Sequence, residues 1–178
     1  LLLIFYMIIL NILLICEIKK KMKEQFKIYL PSLNTTKSVA EILAKEARKK
    51  LFISLGGKLG TGKTTFARFF INALSKKDIK VLSPTFPLLK FYELNDINVW
   101  HYDLYRINKS SEIFNLDFDL ALNDLVLMEW PEKIKEFLPN QRIEIDFYEN
   151  NINKLFLELK IIGNLKINLD LSKYEQNH

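Results

Sequence analysis

Residues 51–64 read Leu51-Phe52-Ile53-Ser54-Leu55-Gly56-Gly57-Lys58-Leu59-Gly60-Thr61-Gly62-Lys63-Thr64, and this stretch decides the fold. Its first half is an apolar run ending in glycine, the pattern of a strand buried inside a parallel sheet. Its second half, from Gly57, satisfies G-x-x-x-x-G-K-[ST]. Residues 63–75 follow with Phe66, Phe69, Phe70 and Ala73 at helical spacing. Strand, glycine loop and helix are the context that the motif demands. The residue types have a physical reason. Backbone N–H groups must converge on phosphate oxygens, so side chains have to be absent where the loop closes. The helix N-terminus near Lys63 adds partial positive charge. Lys63 is placed to reach the β- and γ-phosphates, and the Thr64 hydroxyl to ligate Mg²⁺. The chain has only five glycines in 178 residues. Gly56, Gly57, Gly60 and Gly62 fall together here; Gly163 ends the last strand.

Working outward, strands and helices alternate. Residues 26–30 form a first strand, and Asn34, Thr35 or Thr36 caps a helix running to about Lys50. A short strand is expected over 79–83, before Pro84. Strands over 87–94 and 98–105 make a hairpin, residues 110–122 are helical, and 125–130 is a second buried-type strand. Pro131 opens a helix over 131–138. Two alternating segments, 142–148 and 154–162, close the sheet. The fold class is α/β: a P-loop NTPase-like mixed sheet with a parallel centre, antiparallel additions and flanking helices.

A nucleotide site of this kind needs an acid near the metal. Glu129 ends one apolar strand; Asp103 lies in His101-Tyr102-Asp103-Leu104-Tyr105-Arg106, where alternation puts His101, Asp103 and Tyr105 on one face. Each also reads as an ordinary carboxylate at a strand end. Ser83-Pro84-Thr85-Phe86 follows a strand at its C-terminal end, where open α/β sheets bind ligands. It reads equally as a proline turn.

Charge is modest, with net charge +5. The basic runs Lys19–Lys21 and Arg48–Lys50 read as solvated faces, and no DNA partner is expected. One cysteine, Cys16, excludes an internal disulfide and fits a reducing compartment. Residues 1–16 are apolar except Asn11, and Glu17 and lysines follow. This stretch reads as upstream sequence before a start at Met22, as a signal anchor leaving the domain cytoplasmic, or as a buried helix. It lacks the basic leader and small-residue site of a cleavable signal. Membrane contact is expected only if the run is real.

Together these segments resemble one family, the bacterial tRNA threonylcarbamoyladenosine biosynthesis ATPase family TsaE. The matching segments are Leu59-Gly60-Thr61-Gly62-Lys63-Thr64-Thr65-Phe66, Ser83–Phe86, His101–Arg106 and Glu129-Trp130-Pro131, covering about Phe26 to Ile162. The resemblance implies a cytoplasmic, Mg²⁺-dependent ATPase, active mainly with the partner proteins TsaD and TsaB. That machinery forms N6-threonylcarbamoyladenosine at position 37 of tRNAs reading codons that begin with A. Contact with tRNA is indirect, through the complex. Carried over by position, Lys63, Asp103 and Glu129 are catalytic. Thr36, Gly57, Gly60, Thr61, Gly62, Lys63, Thr64, Thr65 and Trp130 bind ATP, and Thr64 and Glu129 bind Mg²⁺. The chain then divides into an extension over 1–21, the P-loop ATPase domain over 22–165 and a tail over 166–178. Three positions depart from the family pattern: Lys58 replaces an acid, Pro87 a polar residue and Asp117 a glycine.

Two other readings compete. A small-molecule kinase usually brings an arginine-bearing lid, and no arginine stands between Arg106 and Arg142; phosphoryl transfer to a metabolite would favour it. A membrane-anchored nucleotide sensor would be recovered in membranes.

Overall fold

A computed structural model of the chain describes residues 25–75 and 77–175. The apolar run over 1–21, with Cys16, lies outside these residues, and so does His178. The buried run at its centre becomes strand β2 (Phe52–Gly57), which can only be satisfied with a neighbour on each side. Strands β1 (Gln25–Tyr29), β3 (Leu89–Glu93), β4 (Asn98–Asp103), β5 (Leu125–Glu129), β6 (Arg142–Glu149) and β7 (Leu155–Ile162) complete one sheet in the order β1-β7-β6-β2-β5-β4-β3. Strands β6, β2, β5 and β4 are parallel, and β7, β1 and β3 are antiparallel additions. The mixed sheet with a parallel centre is thus as the sequence indicates.

Helices α1 (Leu33–Ala44) and α2 (Lys63–Leu74) cover one face. Val39, Leu43, Phe66 and Phe70 pack there with Ile53, Leu55, Leu127 and Ile145 in one apolar cluster. Each such side chain contributes about 1.5–3 kcal/mol on full burial. The other face is covered only over the centre. There Phe52, Tyr102 and Met128 meet Ile113, Phe118 and Ile134, from a 3₁₀ segment (Ser110–Leu116), the one-turn helix α3 (Phe118–Ala121) and a 3₁₀ segment (Pro131–Phe137). No helix among the described residues is long and apolar enough to cross a membrane.

Several elements differ from expectation, each for a local reason. Ser32, not Asn34, Thr35 or Thr36, caps α1: its side chain accepts from Thr35 N. The helix stops at Ala44 because the next N–H groups tighten to i→i+3 bonds, and the chain then reverses at Lys50 (φ 62°) into β2. Residues 79–83 form no strand. Their backbone groups serve α2 instead: Ile79 N donates to Asn72 Oδ1 at 3.0 Å, and Val81 O accepts from Arg68 Nε at 3.1 Å. The helix expected over 110–122 breaks at Asp117, whose φ of 53° is left-handed. That explains the glycine of the family pattern there. The segment expected over 131–138 is 3₁₀, kinked at Ile134. Residues 166–175, read as a tail, return to the core: Ile167 and Leu171 are buried in the α1–α2 cluster, and Ile28 bridges Glu175.

Candidate nucleotide site

The C-terminal ends of β2, β5 and β4 meet the N-terminus of α2, and every sequence-predicted chemical group except Thr36 converges on that rim. The loop from β2 to α2 carries left-handed backbone at Gly57 (φ 117°), Gly60 (φ 84°) and Gly62 (φ 101°). Gly62 is the N-cap of α2, and no side chain caps this helix. Its first-turn N–H groups are thereby left for an anion. A cavity of about 260 Å³ opens there, lined by Leu59, Gly60, Gly62, Lys63, Thr64, Thr65, Thr85, Asp103, Tyr105, Glu129 and Trp130.

Lys63 folds back over its own loop. Its Nζ donates to Gly57 O at 2.6 Å and Lys58 O at 2.8 Å, and it lies 3.9 Å from the centre of the Trp130 ring. Burial pulls its pKa below the ordinary lysine value, against the carboxylates of Glu129, Glu132 and Asp103. A polyanion in the cavity would offer this ammonium a better partner than neutral carbonyls. Trp130 is held in left-handed backbone (φ 63°) just before Pro131, a conformation costing about 1 kcal/mol. It sets the indole over Lys63 and 4.9 Å from the Tyr105 ring. Such strain persists only where the surrounding structure holds the residue in place.

The two acids have different surroundings. Glu129 is 2% exposed and stands beside α2 through the parallel register of β5 with β2. Its Oε2 accepts from Thr64 Oγ1 at 2.9 Å, and its Oε1 meets His101 Nε2 at 3.0 Å. Asp103, directly across from Glu129 in the β4–β5 register, is already engaged. Its Oδ2 accepts from the Thr85 hydroxyl and from Ser83 Oγ at 3.3 Å, and its Oδ1 from Tyr105 N at 3.1 Å. Asp103 therefore ties the Ser83–Phe86 segment to the rim. Phe86 is 83% exposed, with the Arg106 guanidinium over its ring at 4.8 Å.

The donor set fits Mg²⁺. A threonine hydroxyl and one carboxylate oxygen lie side by side, open to the cavity, and Mg²⁺ takes one or two protein oxygens plus phosphates and waters. Among the described residues no three or more His, Cys, Asp or Glu gather as an all-protein metal cage.

Thr36 lies apart. It is buried on α1, its hydroxyl donates to Ser32 O at 3.4 Å, and it lines neither this cavity nor its neighbour. Gly57 and Thr61 face that neighbour, a cavity of about 480 Å³ shared with Lys58, Leu59, Asp146, Phe147, Tyr148 and Glu149. The sequence reading missed the last four. The only signal for them is that β6 is parallel to β2, which brings its C-terminal end to the same rim. Lys58 keeps its side chain exposed, and its carbonyl does the work of holding Lys63 and Thr61 Oγ1. A basic residue at this position leaves those bonds intact.

Comparison with known proteins gives the family. The family described as threonylcarbamoyl adenosine biosynthesis protein TsaE matches residues 30–156. The tRNA threonylcarbamoyladenosine biosynthesis protein TsaE of Rickettsia typhi is 39% identical over 74% of this chain and 92% of its own length. The protein of the same name from Bacillus subtilis is 33% identical over 72% of this chain and 81% of its own. The crystal structure of Bacillus subtilis YdiB superposes with a TM-score of 0.64 at 27% identity, covering 80% of this chain and 89% of that one. With the phosphate loop, the Thr64–Glu129 pair and the Asp103-anchored segment all in place, the chain belongs to the TsaE family.

Proposed function

We propose that this protein is the ATP-hydrolysing component of the machinery that forms N6-threonylcarbamoyladenosine at position 37 of tRNAs reading codons beginning with A. It acts with TsaD and TsaB, in the cytoplasm, and meets tRNA through that complex. The reading rests chiefly on one observation: Thr64 Oγ1 and Glu129 Oε2 lie 2.9 Å apart at the N-terminus of an uncapped helix, with the Lys63 ammonium on the same loop.

Mg²⁺, when bound, would supply neutralisation of the negative charge that develops on the phosphates. The chain's own residues do the rest. The loop N–H groups and the start of α2 hold the phosphates, and Thr64 and Glu129 hold the metal. Lys63 leaves Gly57 O and Lys58 O for the terminal phosphates. Trp130 and Tyr105 wall the cavity beside Lys63. Asp103, through Thr85 and Ser83, holds the Ser83–Phe86 segment at the rim of the cavity, where it can respond to the nucleotide.

Lys63→Ala is expected to lower ATP hydrolysis in the assembled complex about 10²–10³-fold, with the fold intact by circular dichroism. Unchanged hydrolysis would sink the site assignment. Depleting the protein, with no second copy present, should reduce threonylcarbamoyladenosine in tRNA hydrolysates; an unchanged level would overturn the role in tRNA modification.

A further inference from the structure

His101 is fully buried, and its polar contact runs from Nε2 to Oε1 of Glu129. Among the described residues its Nδ1 has no hydrogen-bond partner. A carboxylate oxygen only accepts, so the ring proton facing it sits on Nε2. Strand alternation places His101 on the face of β4 that carries Val99 and Asp103. The β4–β5 register sets it opposite Leu127, one alternation step from Glu129. Neither contact of Glu129 is redundant: Oε1 is held by the ring, which leaves Oε2 for Thr64. Without the ring, the Glu129 side chain gains rotamer freedom at the point where it must meet a metal within a narrow distance range.

We propose that His101 is a positioning residue. Through Nε2–H it locks Glu129 Oε1 so that Oε2 alone is presented, beside Thr64 Oγ1, to Mg²⁺. This rests on the reading of Thr64 and Glu129 as the metal's protein ligands. A partner of this kind, one bond removed from the metal, typically sets metal affinity by about 10–100-fold. It does not touch the nucleotide, so metal-free nucleotide binding should not depend on it.

The test measures ADP affinity of the full chain by calorimetry, with and without Mg²⁺. In the wild type, Mg²⁺ should tighten ADP binding. His101→Leu should keep the metal-free affinity and weaken the apparent Mg²⁺ affinity about 10–100-fold. His101→Gln, whose amide can place an N–H near the Nε2 position, should stay close to wild type. Mn²⁺ bound in the ADP complex, followed by electron paramagnetic resonance, should show the same order. An unchanged Mg²⁺ increment in His101→Leu overturns the proposal, and so does loss of metal-free ADP binding, which marks a merely structural residue. Equal loss in Leu and Gln variants overturns the donor argument. If the Leu variant does not fold, ¹⁵N spectra of the wild type decide. The chain has two histidines, so the buried ring is identifiable. A proton on Nε2 that persists in the Mg²⁺·ADP complex supports the proposal, and a proton on Nδ1 alone overturns it. Failure of the wild type to bind ADP under either condition would instead remove the nucleotide reading itself, and this proposal with it.

Discussion

Two regions of one sheet treat charge in opposite ways. At the rim of β2, β5 and β4, Lys63, His101, Asp103 and Glu129 are all buried. On the wing of β6, β7 and β1, charged side chains point outward as pairs within a strand, such as Arg142 with Glu144 and Lys160 with Glu158. The wing alternates apolar and polar residues over 142–147 and 157–161, so its charges there stay at the solvent side and its apolar half joins the core. The rim cannot do this, because its strands are covered on both faces. Each buried charge there must find a partner, and the partners found are other site residues. The wing's charges are close to neutral for stability, whereas the rim's are interdependent and placed for chemistry.

Substitutions can break this contrast, and the loop should show the largest effect. A Cβ on Gly57 would overlap the carbonyl oxygen of Phe147, where φ is already 117°. Gly57→Ala is expected to cost about 2–4 kcal/mol in urea unfolding. At Gly60 (φ 84°) a Cβ would meet nothing within 4 Å, so Gly60→Ala should cost only the backbone term, about 1–2 kcal/mol. Equal costs would show that the close approach of β6 to the loop is not what demands glycine.

Asp117→Gly should have the opposite sign. It relieves left-handed backbone at φ 53° and is expected to stabilise by about 0.5–1 kcal/mol, read as a raised urea midpoint. No gain would mean that Asp117 makes a compensating interaction.

Asp146 sharpens the boundary between the regions, since it sits on the wing's outer face but next to the loop. Burial raises its pKa above the ordinary value, and Glu144 adds to the rise. The folded state then holds its proton more tightly than the unfolded chain. Its ionisation therefore costs stability as pH rises through the folded pKa, and that cost is absent below the unfolded pKa. The side chain is nonetheless exposed and its charge is screened by solvent, so Asp146→Asn should raise Tm at pH 7 only slightly, by about 1 °C or less, and show no gain in strong acid. A gain independent of pH would refute this account.

The smallest effect belongs to the wing. Lys160 and Glu158 meet at 2.9 Å but remain partly exposed. Lys160→Met should change stability by no more than about 0.5 kcal/mol. A loss of several kcal/mol would erase the distinction between wing and rim.

Much of the site was legible because its physics is local. The spacing of Gly57, Gly60, Gly62, Lys63 and Thr64 encodes a loop whose geometry depends on its own backbone. Glu129 could be proposed because an acid ending an apolar strand next to tryptophan and proline is a short-range signal. Asp103 was placed at the rim for the same reason, but its engagement by Ser83, Thr85 and Tyr105 was not visible. The strand expected over 79–83 failed because side chains of α2, some ten residues earlier, claim its backbone groups. The tail expected from 166 failed because Ile167 and Leu171 find a place in a core assembled by distant strands.

The sequence by itself determined the glycine loop, the alternation of strands and helices, and the residue types gathered at the rim, since each follows from contacts within a few residues. Only the tertiary structure decided which oxygen of Glu129 faces Thr64, that His101 holds the other, and that the end of β6 opens a second cavity behind the loop. Those depend on register between strands far apart in the chain, and register is set by how the two hydrophobic faces of the sheet pack.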